Sequence, residues 1–327
     1  MLNSVIKKKR VVIVTIRFFV YICNMKLGYA CINMTLGSQK PKITTNRGMI
    51  RKTFDSKGLT YVSELALQNV RDLATVVSWN HRNGIQFYRM SSDMFPWMSE
   101  YEFTDLPDHD KISNILRGIG TMANEYGQRL SFHPGPFNVL CSPKQDVVDK
   151  TVRELNKHSQ IMDIMGLSTT PYNKINIHVG GVYGDKQSAL QRWCDNFELL
   201  DDNTKSRLTI ENDDKTSAYT VRDLMYIHEN TGIPIVFDYH HHSCHPDGMS
   251  HKDALTLAVS TWPTGITPAV HVSEPRDDKN PRAHHDYIRT QVDTYGFDID
   301  IMMEAKAKEQ ALLEYRTSFE NVLVDSN

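Results

Sequence analysis

The chain has 327 residues, of which 40% are hydrophobic and 23% are charged, and its formal net charge at pH 7 is −2. This composition is typical of a globular protein with ample core, and the length suits two ordinary domains or one large barrel. The near-neutral charge argues against a generic basic nucleic-acid binder, although a clustered cation site would neutralise several of the acids counted in that sum.

The five cysteines form no CxxC pair, so the sequence predicts neither a disulfide framework nor a thiolate zinc site. They are Cys23, Cys31, Cys141, Cys194 and Cys244. An odd number of cysteines without a pairing motif favours a reducing, intracellular environment.

The first 24 residues differ from the rest of the chain. Four basic residues, Lys7 to Arg10, precede a mostly apolar run that Arg17 interrupts. That run is shorter than the roughly 20 residues of a membrane span, and no clear cleavage site follows it. We therefore expect residues 1–24 to be an extension outside the fold, residues 25–320 to form one domain and residues 321–327 to be a tail. A targeting segment is the alternative for the extension.

Eight short apolar runs follow from Lys26 onward and have the composition of buried strands. They read KLGYACIN, IQFYRMSS, RLSFHPG, KINIHVGG, RLTIEND, PIVFDYHHH, AVHVSE and DIDIMMEAK. After the first run comes a polar loop, 37–58, and then apolar residues at helical spacing from Ser63 to a stop at Gly84. Further helices are expected at about 109–126, 145–166, 186–200, 217–231, 250–260, 283–296 and 306–320.

Strands that alternate with helices pair in parallel through right-handed crossovers. No GxGxxG fingerprint follows the first strand, which weakens a dinucleotide-binding fold. Eight units with polar groups at most strand ends favour closure, so we predict a single-domain (β/α)₈ TIM barrel. An aromatic, irregular insertion after the second strand, DMFPWMSEYEFTDLP, is expected to be functional because it lies at the same face.

Imidazoles and carboxylates end six of the eight strands, which is how a barrel builds a site at its carboxyl face. The candidates are His133, His178, Glu211, Asp238 with His241, His271 and Glu304, with His284 or His285 following the seventh strand. This set exceeds the four ligands of one zinc ion, so two or three divalent cations sharing carboxylates fit better. Without thiolates, the set suits manganese or zinc, and magnesium less well.

From these motifs the chain is identified as resembling the UV damage endonuclease family of DNA repair enzymes, which are TIM barrels related in architecture to endonuclease IV. The motifs run in order from about residue 27 to about residue 309: LGYACIN, FYRMSSDMFPWMS, LSFHPG, INIHVGGVYGDK, LTIENDD, VFDYHHH, HVSEPR, AHHDYI and MMEAKAKE.

The resemblance implies cleavage of the phosphodiester bond immediately 5′ to a lesion in double-stranded DNA, leaving a 3′ hydroxyl and a 5′ phosphate. It implies a metal ligand set of His133, His178, Glu211, Asp238, His241, His271, His284 and Glu304, with Glu211, His178 and Glu304 as the catalytic residues. It also implies that Tyr29 and Asn33 read the damage. Arg276 and Lys306 are expected to contact phosphates, with solvated surface charge as the alternative. Neither a membrane nor an obligate protein partner is implied, and we expect a monomer.

Three positions depart from the family pattern. Glu100 replaces a metal-binding histidine and remains a candidate ligand. Ala269 replaces a lysine, which puts the number of ions in doubt. Pro136 and Phe137 replace a Gln-Tyr pair that probes the damaged base pairs, although Phe137 retains the apolar bulk needed to insert between bases.

Two other functions are compatible with the same residues. A metal-dependent sugar isomerase also places His, Glu and Asp on a barrel rim, and conversion of an aldose without nicking of irradiated plasmid would indicate it. Ala269 and Pro136 are compatible with a damage-binding homologue that has altered or lost nuclease activity. Such a protein would bind damaged duplex without a metal-dependent nick.

Overall fold

The structure, a computed structural model, describes residues 25–319, so the predicted extension 1–24 and tail 321–327 lie outside it. Eight parallel strands form the predicted TIM barrel, with the sheet order β3-β2-β1-β10-β7-β6-β5-β4. They are β1 Leu27–Ala30, β2 Phe87–Arg89, β3 Arg129–Ser131, β4 Ile175–His178, β5 Leu208–Glu211, β6 Ile235–Asp238, β7 Ala269–Val272 and β10 Asp300–Met303. A hairpin of β8 Pro275–Asp277 and β9 Asn280–His284 lies outside the barrel sheet.

The barrel closes between β3 and β4, the two strands at the ends of the sheet order. Phe132, just past β3, pairs with Ile175 in a parallel bridge. The backbone N–H of Phe132 donates to the carbonyl of Lys174 at 2.9 Å, and that of Asn176 donates to the carbonyl of Phe132 at 3.0 Å. A closed barrel leaves no unpaired sheet edge, and its closure brings the ends of β3 and β4 side by side.

Helices pack around the barrel, and seven of those described lie where the apolar spacing predicts them, whereas the three short ones at 34–37, 202–207 and 239–244 are absent from the prediction. The helices are α1 Met34–Gly37, α2 Arg51–Arg82, α3 His109–Glu125, α4 Gln145–Met165, α5 Lys186–Phe197, α6 Asp202–Arg207, α7 Val221–Thr231, α8 Tyr239–Cys244, α9 His251–Ser260 and α10 Glu309–Phe319. The helix α2 begins earlier than predicted and is interrupted at Gly58, whose φ of 60° and ψ of −158° are not helical. Among residues 25–319, no helix is long and apolar enough to span a membrane.

The helix predicted at 283–296 is wrong, because this region contains the end of β9 followed by an irregular segment. The Asp277 side chain accepts hydrogen bonds from the backbone N–H groups of Lys279 and Asn280, which makes the turn of the hairpin. Beyond the hairpin, Glu274 accepts hydrogen bonds from the backbone of Arg289 and of the next residue, both at 2.8 Å. These side-chain bonds replace the helical ladder.

A buried ion pair lies at the amino-terminal end of the barrel. Arg129 Nη1 and Asp300 Oδ2 lie 2.8 Å apart, and both side chains are almost fully buried. The guanidinium of Arg129 also donates to the carbonyls of Pro171, Tyr172 and Thr267. A charged pair in this environment is tolerated because nearly every donor has an acceptor. The two charges of this pair are therefore satisfied within the protein.

Candidate metal centre

Strand register brings the predicted ligands together at the carboxyl end of the barrel. His178 is paired with Glu211 across β4 and β5, and Asp238 is paired with His271 across β6 and β7. His133 follows β3, so barrel closure places its ring centroid 5.3 Å from that of His178. Residues from strands distant in sequence thus share one face of the barrel, as the sequence predicts.

Glu211 is the centre of the group and is fully buried. Its Oε2 lies 3.1 Å from His133 Nε2 and 3.0 Å from His271 Nδ1, and its Oε1 lies 3.4 Å from His241 Nδ1. One carboxylate therefore contacts imidazoles from three strand ends. A carboxylate in this position would suit divalent cations bound beside it.

Glu304 and Asp238 flank Glu211 on two sides. Glu304 Oε1 lies 3.1 Å from His271 Nδ1, and His284 donates from Nδ1 to the Glu304 carbonyl at 2.8 Å. Asp238 caps α8 by accepting from the backbone N–H of His241 at 2.8 Å, and its Oδ2 lies 3.9 Å from His241 Nδ1. The strand therefore ends between Asp238 and His241, which is the condition for both to face one ion.

The pKa values of the centre reflect burial opposed by neighbouring charges. Burial lowers the pKa of His133 to about 4. Burial also acts to lower the pKa of His178, but Glu211 and Asp213 outweigh it and raise the value to about 10. Burial disfavours ionised Glu211, yet His271 and His178 hold its pKa well below the usual range. Burial raises the pKa of Asp238 to about 6.

The residues fit divalent cations. Three groups bring potential ligand atoms within 4.8 Å of one another: His133 with His271 and Glu304, His133 with His178 and Glu211, and Glu211 with Asp238 and His271. Within the described part of the chain, several buried atoms here lack a hydrogen bond of acceptable geometry: His178 Nδ1, Glu211 Oε1, Asp238 Oδ2 and His271 Nδ1. Buried polar atoms without partners are costly, and cations shared by these groups would satisfy them.

Glu100 belongs to none of these three groups. Its carboxylate oxygen Oε1 lies 3.5 Å from Arg51 Nη1 and 4.0 Å from Lys150 Nζ, on the short 3₁₀ turn Met98–Glu100. The structure thus gives this acid two cationic side chains as neighbours and does not support its assignment as a metal ligand.

Tyr29 and Asn33, which the resemblance implies read the damage, lie in the interior of the protein. Tyr29 is 0% exposed and Asn33 is 3% exposed. The Tyr29 hydroxyl donates to Asn80 at 2.8 Å and accepts from Asn33 at 2.9 Å, while Asn33 also caps α1. Both side chains are hydrogen-bonded within the protein, so they support the loop after β1.

The remaining predicted DNA contacts lie at the surface around the mouth of the barrel. Pro136 and Lys306 are exposed, and the Arg276 side chain on β8 is 44% exposed. Phe137 is 89% exposed and borders an open cleft of about 750 Å³ that Trp97 and Asn138 also line. Phe137 therefore offers an exposed apolar side chain at the edge of this cleft.

Three further residues at the centre are absent from the sequence-based prediction. Arg89, at the end of β2, forms an ion pair with Glu304. Lys174 Nζ lies 3.0 Å from His271 Nε2, and Asn176 donates to Glu211 Oε2. Burial lowers the pKa of Lys174 to about 7. The alternation of Lys174, Asn176 and His178 along KINIH was the available signal, because residues two apart on a strand share a face.

The fold and the site define a class: TIM-barrel proteins with a cluster of histidines and carboxylates at the carboxyl face. The family model described as UV-endonuclease UvdE matches residues 25–324. This chain belongs to that family.

Comparison with individual proteins agrees with this assignment. The chain is 37% identical over 319 residues to the UV-damage endonuclease of Schizosaccharomyces pombe, covering 90% of this chain and 51% of that protein. It therefore spans about half the length of that relative. The crystal structure of SacUVDE superposes with a TM-score of 0.80 at 32% identity, covering 91% of this chain and 99% of the other. Endonuclease IV from Thermus thermophilus, at 12% identity and a TM-score of 0.55 over 76% of this chain and 94% of its own, shares the fold.

Proposed function

We propose that this protein is a metal-dependent DNA repair endonuclease that hydrolyses one phosphodiester bond immediately 5′ to UV photoproducts and other lesions. The products would be a 3′ hydroxyl and a 5′ phosphate. The observation that carries the proposal is the convergence of imidazoles and carboxylates on Glu211 at the open face of the barrel. Membership of the UvdE family supports DNA as the substrate.

The proposed cofactors are two or three divalent ions, with Mn²⁺ as the first choice and Zn²⁺ or Mg²⁺ as alternatives. Their ligands would be His133, His178, Glu211, Asp238, His241, His271, His284 and Glu304. When bound, such cations supply Lewis-acid stabilisation of a phosphodiester and activate water near neutral pH. Among the protein's own groups, Glu211, His178 and Glu304 are the proposed catalytic residues.

Recognition of damage would depend on how easily the duplex deforms. Damaged, weakly stacked DNA costs less to kink and open than intact DNA. Phe137 would insert between bases, and the cleft beside it offers space for a displaced nucleotide. Arg276 and Lys306 would contact backbone phosphates outside the centre.

The direct test uses purified full-length protein and a duplex with a single cyclobutane pyrimidine dimer. With Mn²⁺ present, we expect one nick in the damaged strand, 5′ to the dimer, with ends that a polymerase extends and a ligase rejoins after repair. Undamaged duplex of the same sequence serves as the control. Binding of the damaged duplex without any nick at Mn²⁺, Zn²⁺ or Mg²⁺ would contradict the proposal and indicate a damage-binding homologue.

A further inference from the structure

Strand β4 presents a polar face to the barrel interior below the ligands. Lys174, Asn176 and His178 alternate along the strand and therefore share one face. Lys174 and Asn176 are both 0% exposed, whereas the His178 side chain reaches the mouth and is 24% exposed. Two polar side chains are thus enclosed beneath the metal centre, where apolar residues would pack without the cost of desolvation.

Lys174 contacts one nitrogen of His271 and leaves the other for the centre. Lys174 Nζ lies 3.0 Å from His271 Nε2. On the opposite side of the ring, Nδ1 lies 3.0 Å from Glu211 Oε2 and 3.1 Å from Glu304 Oε1. The imidazole is held between an amine and two carboxylates, so its Nδ1 edge is the one that faces the cation-binding groups.

Asn176 makes a comparable contact with Glu211. Its Nδ2 donates to Glu211 Oε2, and its Oδ1 accepts a hydrogen bond from Thr209 Oγ1 at 2.7 Å. The ionised carboxylate of Glu211 can only accept, so it fixes the amide orientation and leaves Oδ1 to accept from the Thr209 hydroxyl. The amide N–H is therefore directed at the carboxylate that the centre shares.

We propose that Lys174 and Asn176 are positioning residues that orient His271 and Glu211 for metal binding without being ligands themselves. The inference rests on the proposed metal-dependent function. Residues that hold ligands in place commonly set metal affinity, and their loss costs about 10–100-fold in affinity or activity. The expected signature is therefore weakened metal binding in a protein that remains folded.

The experiment compares Lys174→Met, which retains the length of the side chain but removes the amine, with Lys252→Met on the exposed surface of α9. Titration calorimetry and the electron paramagnetic resonance signal of Mn²⁺ measure binding in the full-length protein. We expect Lys174→Met to bind Mn²⁺ about 10–100-fold more weakly, with nicking largely restored at high Mn²⁺. Lys252→Met should match wild type.

A purely structural role for Lys174 would lower the melting temperature and leave Mn²⁺ affinity of the folded protein unchanged, and that result would overturn the inference. Should Lys174→Met fail to fold, Asn176→Ala provides the second measurement, with the same expected loss of affinity and the same contradicting outcome. Failure of the proposed function is distinguishable, because the wild type itself would then neither bind Mn²⁺ nor nick damaged DNA.

Discussion

His133 Nε2 and Glu211 Oε2 lie 3.1 Å apart, although 78 residues separate them in the chain. The contact crosses the seam where the barrel closes and joins two strand ends into one centre.

Glu211→Gln retains the size of the side chain but removes the charge that cations would share. We expect nicking of a dimer-containing duplex to fall below about one hundredth of wild type, because loss of even a supporting group costs about 10–100-fold.

The matched control for that variant is Glu198→Gln, which changes an exposed carboxylate paired with Lys205. It should nick like wild type, and circular dichroism should show both variants folded. Wild-type nicking by Glu211→Gln would rule out this residue as a shared ligand.

Phe137→Ala tests insertion into the duplex. We expect the ratio of nicking on irradiated over intact plasmid to fall about tenfold, because base–aromatic stacking contributes roughly 1–3 kcal/mol. Leu199→Ala, at a residue that is 51% exposed beyond the end of α5, is the control. An equal loss of rate on both plasmids would argue against a role in discrimination.

Removal of metal should affect both activity and stability. Protein stripped with a chelator is expected to lose nicking and to melt at a lower temperature than protein with Mn²⁺. A ligand at a hundredfold excess over its Kd stabilises the folded state by about 2.7 kcal/mol. The shift should be much smaller in Glu211→Gln, and an identical shift in both proteins would place the binding elsewhere.

The ion pair at the opposite end of the barrel should matter for stability and not for chemistry. Asp300→Asn leaves the Arg129 charge buried without its carboxylate, which costs about 3–5 kcal/mol in comparable cases. Urea unfolding should show this loss, while nicking per folded molecule stays within twofold of wild type. An unchanged unfolding midpoint would mean that the surrounding carbonyl groups alone compensate the buried charge of Arg129.

Two glycines of α3 provide a matched pair. A Cβ at Gly120 would lie 1.6 Å from the carbonyl oxygen of Met165, whereas one at Gly118 would meet nothing within 4 Å. Gly120→Ala should therefore destabilise the packing of α3 on α4. Gly118→Ala should stabilise the protein by about 0.5–1 kcal/mol, since alanine is the better helix former. Equal unfolding midpoints for the two variants would contradict this contact.

The sequence predicts the barrel, and also which histidines and acids converge at its carboxyl face, because both depend on local pattern. Alternating apolar residues and helical spacing identify the strands and most helices. A histidine or acid at a strand end can likewise be recognised from the sequence alone. The helix expected at 283–296 fails because His284 pairs with β8 and because Glu274 accepts from the backbone of Arg289 and of the next residue. These partners are set by tertiary structure.

The same limit applies to the predicted roles of individual residues. Tyr29 and Asn33 belong to a motif that resembles the family's damage-reading motif, yet in this structure Asn80 and the start of α1 take up their hydrogen bonds. The sequence analysis assigns no role to Arg89 or Lys174, and the fold shows that they reach Glu304 and His271. Which charged groups are neighbours across a barrel cannot be read from separate strands.

The seam between β3 and β4 has a thermodynamic consequence. Its bridge joins Phe132 to Ile175, and the imidazoles of His133 and His178 stand on its two sides. Ions bound by both histidines would hold β3 and β4 together. Closure of the barrel and binding of the ions would then be one cooperative event. Local opening at this seam, measured by hydrogen exchange at Phe132 and Asn176, should slow when the ions are present.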